Sequence, residues 1–358
     1  MSDRRKEAEE KMAKAIFISA DGWLCVFDLL PAYQLGLGIA MISHRFDFYV
    51  DEHFKTRKWT LKYIRIRNKI GENGTDEMEI GNANGKALPF PQIQMPRKVI
   101  GFRLINITFI DQNVTVFLRH FSQLFASYPI SLVIDTETDF RISEFILCNI
   151  WPMLGKNIHA MDLSVGIFHL LRQLVPSILN DYQSLRVVSF CADNLFTEFP
   201  TDDNAMASDG QSVAKWLFTP LQNNVPKIFK CSLDMDYVNW SSKIAAFKAA
   251  FASASSPANF IISISFPPSF ADSVMPFALT NELTREQLML KRINNSQRFL
   301  LIRCPIVRGE IKWTKWEEEA FKWKTYNQCN VHIGIFNDDD IGKELLNATP
   351  GPSDQQQK

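Results

Sequence analysis

The sequence predicts an α/β protein (α+β overall): a small helical N-terminal domain, a solenoid of strand-helix repeats, and a C-terminal hairpin-helix cap. Three observations carry that expectation. Residues 16 to 66 hold three short apolar-periodic segments and then a strand. From Arg97 onward, short runs rich in β-branched residues are each answered by an amphipathic helical run. Beyond Phe260 the pattern changes to two alternating strands, a Trp-rich helix and a final strand.

Residues 1–15 form a charged tail of both signs, and 16–59 the helical domain. Phe17, Trp23, Leu24, Val26, Phe27 and Leu30 make one helix face, with Ser19 and Asp21 as candidate N-caps for the free amides of the first turn. Pro31 interrupts this helix. Leu35, Leu37, Ile39, Ile42 and Phe46 supply a second run, closed by Ser43, His44 and Arg45. Gly36 and Gly38 weaken it by about 1 kcal/mol each relative to Ala. A third run carries Val50 and Phe54.

Residues 60–266 read as repeats, with loop inserts at 71–98 and 198–210. The first insert is rich in Gly, Asn and Pro, which discourage regular structure. It is no phosphate loop, because Gly85-Lys86-Ala87-Leu88-Pro89 lacks the Lys-Ser/Thr and the helix that must follow. Registering the strands on their second apolar position selects Ile64, Ile105, Val133, Met161, Val188, Cys231 and Ile264. The intervals from Ile105 to Val133, Met161 and Val188 are 28, 28 and 27 residues. That spacing falls in the period of leucine-rich repeats, about 20 to 29 residues, so a leucine-rich-repeat-like solenoid is the expected architecture. A doubly wound α/β domain would give the same alternation. Residues 267–340 form the cap, with a hairpin turning at Asn294-Asn295-Ser296 and a helix bearing Trp313, Trp316 and Trp323. A polar tail, 341–358, ends the chain.

Composition narrows the function. Lys+Arg and Asp+Glu are equal at 39 each, so no global field draws the chain to nucleic acid or anionic lipid. No run approaches the roughly 20 apolar residues of a membrane span, and the charged N-terminus lacks the apolar core of a secretory signal. An intracellular location, cytoplasmic and/or nuclear, is expected. The six cysteines are widely spaced with no CxxC pair, which indicates neither zinc nor redox chemistry.

For catalysis the best candidates are Asp135, Glu137 and Asp139, a carboxylate cluster at one strand-to-helix turn that could hold Mg²⁺. Solvated turns look the same, and no second acidic turn or Gly-rich loop completes a phosphoryl-transfer site. Cys191 could be a thiol nucleophile with His159 or His169 as base, though no spacing ties either histidine to it. Trp313, Trp316 and Trp323 could line an aromatic cage, or pack the cap helix onto the repeats. No Gly-x-Ser-x-Gly, GxGxxG or His-Glu-x-x-His motif occurs. The expectation is therefore a protein that binds rather than catalyses, with no metal and no cofactor.

The segment Ile42-Ser43-His44-Arg45-Phe46, following a capped helix and a Leu-rich run, resembles the Val/Ile-Ser-Arg-aromatic signature of the F-box. Ile18-Ser19 stands where that family usually has Leu-Pro. Together with the strand, the Gly/Pro loop, the repeats, the hairpin ending Leu301-Ile302-Arg303-Cys304-Pro305-Ile306 and the Lys-Trp-x-x-Trp-Glu helix, the chain is similar to divergent F-box proteins expanded in certain nematodes. The resemblance implies a non-catalytic substrate receptor of an SCF-type (cullin-RING) ubiquitin ligase. Its F-box would bind the adaptor, and through it cullin, while the repeats bind an unknown protein substrate. The positions matching the adaptor face are Ile18, Trp23, Leu24, Phe27, Pro31, Leu35, Ile42 and Phe46. Two rival classes stay open: a cytosolic α/β enzyme using the Asp135–Asp139 turn, and a repeat scaffold unconnected to ubiquitination.

Overall fold

The computed structural model describes residues 18–30, 35, 39–56, 59–67, 77–80, 88–89, 99–127, 129–136, 140–154, 156–190, 196–233, 237–294, 296–322, 329–342 and 345. The chain divides into two compact units, one of residues 1–60 with 96–100 and one of 61–95 with 101–358.

In the first unit, α1 (Ala20–Phe27) begins at Ser19, whose hydroxyl accepts from the Gly22 amide at 3.2 Å. Gly22 is required at that point, because a Cβ there would lie 2.8 Å from Ile18 Cγ2. A 3-10 turn at Ala40–Ile42 leads into α2 (His44–Thr56), with the Phe46 amide donating to the Ser43 hydroxyl. The polar cluster at 43–45 therefore opens the third helix, and Phe46 belongs to that helix rather than to the second run. Phe27, Leu35 and Val50 form the buried centre. Trp23, Leu24, Leu30, Ile39, Phe46, Tyr49 and Phe54 pack around it, with Trp23 and Phe46 edge to face at 4.8 Å.

The second unit is built on one large sheet. Its strands are β1 (Trp59–Arg67), β2 (Glu77–Ile80), β3 (Leu88–Pro89), β4 (Val99–Ile107), β5 (Ile130–Ile134), β6 (Ile158–Leu163) and β7 (Val187–Phe190). They continue with β8 (Lys227–Ser232), β9 (Phe260–Ser265), β10 (Phe277–Asn281), β11 (Glu286–Arg292), β12 (Arg298–Pro305) and β13 (Cys329–Ile333). The spatial order is β10-β11-β12-β9-β8-β7-β6-β5-β13-β4-β1-β2-β3. From β9 through β13 to β4 the pairings are parallel, and β12, β11 and β10 add antiparallel strands at one end.

This order corrects the solenoid. A solenoid stacks only sequence neighbours, whereas β13 returns from the C-terminal region and inserts between β4 and β5. The architecture is one open, mostly parallel α/β sheet. The expected C-terminal cap is likewise part of that sheet, with β13 in its middle. The hairpin of β11 and β12 forms as its alternation predicts, turning where Asn294 takes a φ of 48°, a left-handed conformation that Asn tolerates. The constant-interval register shifts in detail. Met161 pairs with Leu132 rather than Val133, and Val188 with Phe229 rather than Cys231, because Val133 lies on the opposite face of its strand from Leu132.

Helices α3 (Gln112–Ser127), α4 (Phe140–Phe145), α5 (Val165–Leu174), α6 (Ile178–Asp181), α7 (Asp209–Phe218), α8 (Tyr237–Ala252) and α9 (Pro268–Ala271) connect the strands. Asp111 opens α3 as expected, its carboxylate accepting from the Val114 amide at 2.7 Å. Residues of α3 to α9 and one set of alternate strand positions, including Leu132, Met161, Val188, Phe229 and Ile262, form a single apolar core. The other sheet face carries a smaller cluster, Ala160, Val187, Ile228, Ile261, Leu300, Ile302 and Cys304, packed with Trp313 and Ala320 of α10 (Glu310–Phe321). No described helix is long and apolar enough to cross a membrane.

Candidate functional site

The N-terminal unit sorts the adaptor-face positions into two kinds. Phe27 and Leu35 are fully buried, and Trp23, Leu24 and Phe46 pack against them, so these five hold the unit together. Ile42 is exposed and Ile18 half-buried; Pro31 lies outside the described residues. The outward apolar side chains of this unit are Val26, Leu29 at 84 % exposure, Met41 at 78 %, Ile42 and Phe48 at 59 %. The sequence pattern pointed to the right helices but mostly to their inward positions.

In the sheet unit, the face opposite the helices carries polar residues inside otherwise apolar strands. Parallel pairing sets them side by side. Asn106 pairs with His332, His332 with Val133, Val133 with Asp162, Asp162 with Ser189, Ser189 with Lys230, and Lys230 with Ser263. One step toward the strand starts runs a second row, Leu104, Asn330, Ser131, Ala160, Val187, Ile228 and Ile261. The first row is thus a polar ladder and the second mainly apolar.

Helix α10 packs over the β8, β9 and β12 part of this face. Its last turn is held by cations, as a helix C-terminus favours. The Lys230 ammonium donates to the carbonyls of Lys322 at 2.5 Å and Glu319 at 3.5 Å, and Arg298 donates to that of Phe321. Arg186 pairs with the Glu319 carboxylate at 2.5 Å. Burial pushes the Lys230 ammonium down to about 8, partly offset by the Glu319 and Asp162 carboxylates.

Beside α10 the ladder lies at the floor of a cleft of about 320 Å³, lined by residues of β5, β6, β7 and β13 together with Leu104 and the strand-end residues Asp135 and Ser164. Ser131 and Ser189 are 4 % and 3 % exposed, and their hydroxyls have no hydrogen-bond partner among the described residues. Leaving such a group unpaired costs about 1 to 3 kcal/mol.

Of the catalytic candidates, Asp135 is exposed and lines this cleft, its amide donating to the Ile333 carbonyl. Glu137, Asp139, Cys191 and Trp323 lie outside the described residues. His159 is half-buried, with burial and then the nearby Arg186 lowering its pKa. His169 is exposed on α5, between Asp209 and Gln173. Trp313 is buried against the sheet with the Arg308 guanidinium over its ring, and Trp316 meets it edge to face at 5.3 Å. Among the described residues no group of three or more His, Cys, Asp or Glu side chains is placed to hold a metal ion. The polar ladder escaped the sequence reading, although its signal is present. ISLVI, IHAMDL, VVSF, KIFKCS and CNVHI each break an apolar run with a polar residue on the same face.

Fold and cleft define an α/β protein with an open parallel sheet, helices on one face and a polar-floored cleft on the other. Comparison with protein-family models and with curated proteins gave no match to this chain.

Proposed function

We propose that the chain is a non-catalytic substrate-recognition subunit of an SCF-type (cullin-RING) ubiquitin ligase, its N-terminal unit docking on the adaptor and its sheet unit binding the target protein. The observation that carries this reading is the pattern of the N-terminal unit. It keeps a small aromatic core of its own and still presents Leu29, Met41, Ile42 and Phe48 outward. Apolar side chains in water on so small a helical unit favour a partner surface, and covering them contributes roughly 25 cal/mol per Å² before association costs. The F-box-like Ile42-Ser43-His44-Arg45-Phe46 segment lies at the start of α2, beside those side chains in sequence. The partners on this reading are the adaptor, cullin through it, and a target protein. The test is affinity purification with and without residues 1–60. Adaptor and cullin should disappear together on deletion; their retention would end the assignment.

A second reading, a cytosolic α/β enzyme, is favoured by one observation: Asp135, Asp162 and His332 line the same cleft. Open α/β sheets hold ligands beyond the carboxyl ends of their strands. Turnover of a phosphate ester with a divalent ion, lost in Asp135→Ala, would support it.

A further inference from the structure

The cleft on the open sheet face is built for hydrogen-bond donors that the described residues do not supply. Ser131 and Ser189 are more than nine-tenths buried, both line it, and neither hydroxyl has a partner among the described residues. A serine oxygen offers two lone pairs to a donor. The charged groups along the same wall are carboxylates, Asp162 in the ladder and Asp135 at its mouth, and no lysine or arginine is among the described lining residues. The nearest cation along the ladder, Lys230, spends its hydrogen bonds on the α10 carbonyls of Lys322 and Glu319. Between the acceptors the floor is apolar, from Val133, Ala160 and Val187.

We propose that this cleft seats a basic side chain, arginine or lysine, presented by a polypeptide. A guanidinium is all donor, and it suits a wall of hydroxyl and carboxylate oxygens. Its methylene stem suits the floor of valine and alanine. The polypeptide source rests on the receptor reading above, whereas the basic class of the ligand rests on the cleft alone. A volume of about 320 Å³ is at the lower end for ligand sites, enough for one long side chain and the backbone that carries it.

The test titrates the full-length chain, without adaptor, with an acetylated and amidated Gly-Ala-Arg-Ala-Gly peptide. Its counterpart with Glu in place of Arg and free spermidine serve as further probes. Binding is read from the imidazole resonances of His332, which lies two strands from Asp162 in the ladder. The arginine peptide should shift them saturably, and Asp162→Asn should weaken binding about tenfold, or 1.4 kcal/mol. Because Asp162→Asn acts inside the sheet, the exposed Asp135→Asn is the second variant, expected to weaken binding severalfold with an unchanged melting curve. An equal response to the glutamate peptide overturns the proposal, as does the absence of saturation with folded protein. Saturation by spermidine without the peptide overturns the polypeptide source. Adaptor binding plays no part in this measurement, so failure of the receptor reading and failure of the cleft assignment are separate results.

Discussion

Arg303 and Glu286 form a buried ion pair between β12 and β11, each side chain 1 % exposed. Two guanidinium N–H groups meet one carboxylate oxygen, at 2.6 and 3.1 Å, while the other oxygen accepts from the Ala258 amide at 2.8 Å. The rings of Phe218 and Phe251 flank the guanidinium at 5.4 and 5.3 Å. Removing one member leaves the other charged and dry, at a cost of about 3 to 5 kcal/mol. Glu286→Ala should therefore lower the urea midpoint sharply. The double variant Glu286→Leu with Arg303→Met should recover most of the loss, since apolar replacement of a whole buried pair is often neutral. Equal midpoints for single and double variants would mean that the loss comes from packing rather than from the orphaned charge.

Arg172 does a comparable job between α5 and the start of α7. It is buried, and its guanidinium donates to the carbonyls of Pro176, Asn204, Ala207 and Ser208 and to the Asp209 carboxylate. Ser208 and Gln211 add a reciprocal capping box at the same turn. Arg172→Lys keeps the charge but not the fork, so most of these acceptors lose their donor. It should cost about 2 to 3 kcal/mol. Amide exchange should quicken in residues 204–211 first, which separates this local release from global unfolding.

These two arginines show why the sequence described part of the molecule well and part poorly. The strand-helix alternation, the Asp111 and Ser19 caps, the β11–β12 hairpin and the absence of a long apolar span all follow from local patterns, and local patterns are visible in one chain. Topology is not local. That β13 enters between β4 and β5 depends on which strand edge is free after the rest has paired, and VHIGIF reads the same in the middle of a sheet as in a cap. The same limit affects the sites. Trp23, Leu24 and Leu35 matched an adaptor face because inward and outward positions of short helices are both apolar here, and only packing separates Leu35 from Leu29. The ladder from His332 to Ser189 is assembled by pairing across strands that are far apart in sequence.

Lys230 offers a test through pH. Burial lowers its pKa from an ordinary 10.5 to about 8, so between those values the unfolded chain holds a proton that the folded chain lacks. Stability from this group is complete above about 10.5 and is lost as pH falls through about 8. Lys227, donating to the Trp216 carbonyl, is also lowered to about 8 by burial. The buried Cys231 thiol, pushed up to about 12, opposes both from about pH 9 upward. Comparing wild type with Lys230→Met removes the shared background. The variant should be relatively more stable near neutrality than at pH 10, by on the order of 1 to 3 kcal/mol after allowance for residual solvent. A stability difference that is flat across that interval would show that Lys230 stays charged beneath α10.

The N-terminal unit makes a prediction in which surface and core must behave differently. Leu29 and Phe48 are outward and Phe27 and Val50 are fully buried, yet all four are apolar residues of the same small unit. Leu29→Asp with Phe48→Asp removes apolar surface already in water, so the melting curve should move little. If these side chains meet the adaptor, burying two unpaired carboxylates there should reduce co-elution at least tenfold. Phe27→Ala should instead cost about 3 to 5 kcal/mol by leaving a cavity beside Trp23 and His53, and any loss of adaptor binding should track unfolding of residues 18–56. Replacing Leu24 and Leu35 together would confound the two effects, because Leu35 is 0 % exposed. The decisive comparison is the surface pair at a temperature where the unit is folded: undiminished co-elution would remove Leu29 and Phe48 from the docking face.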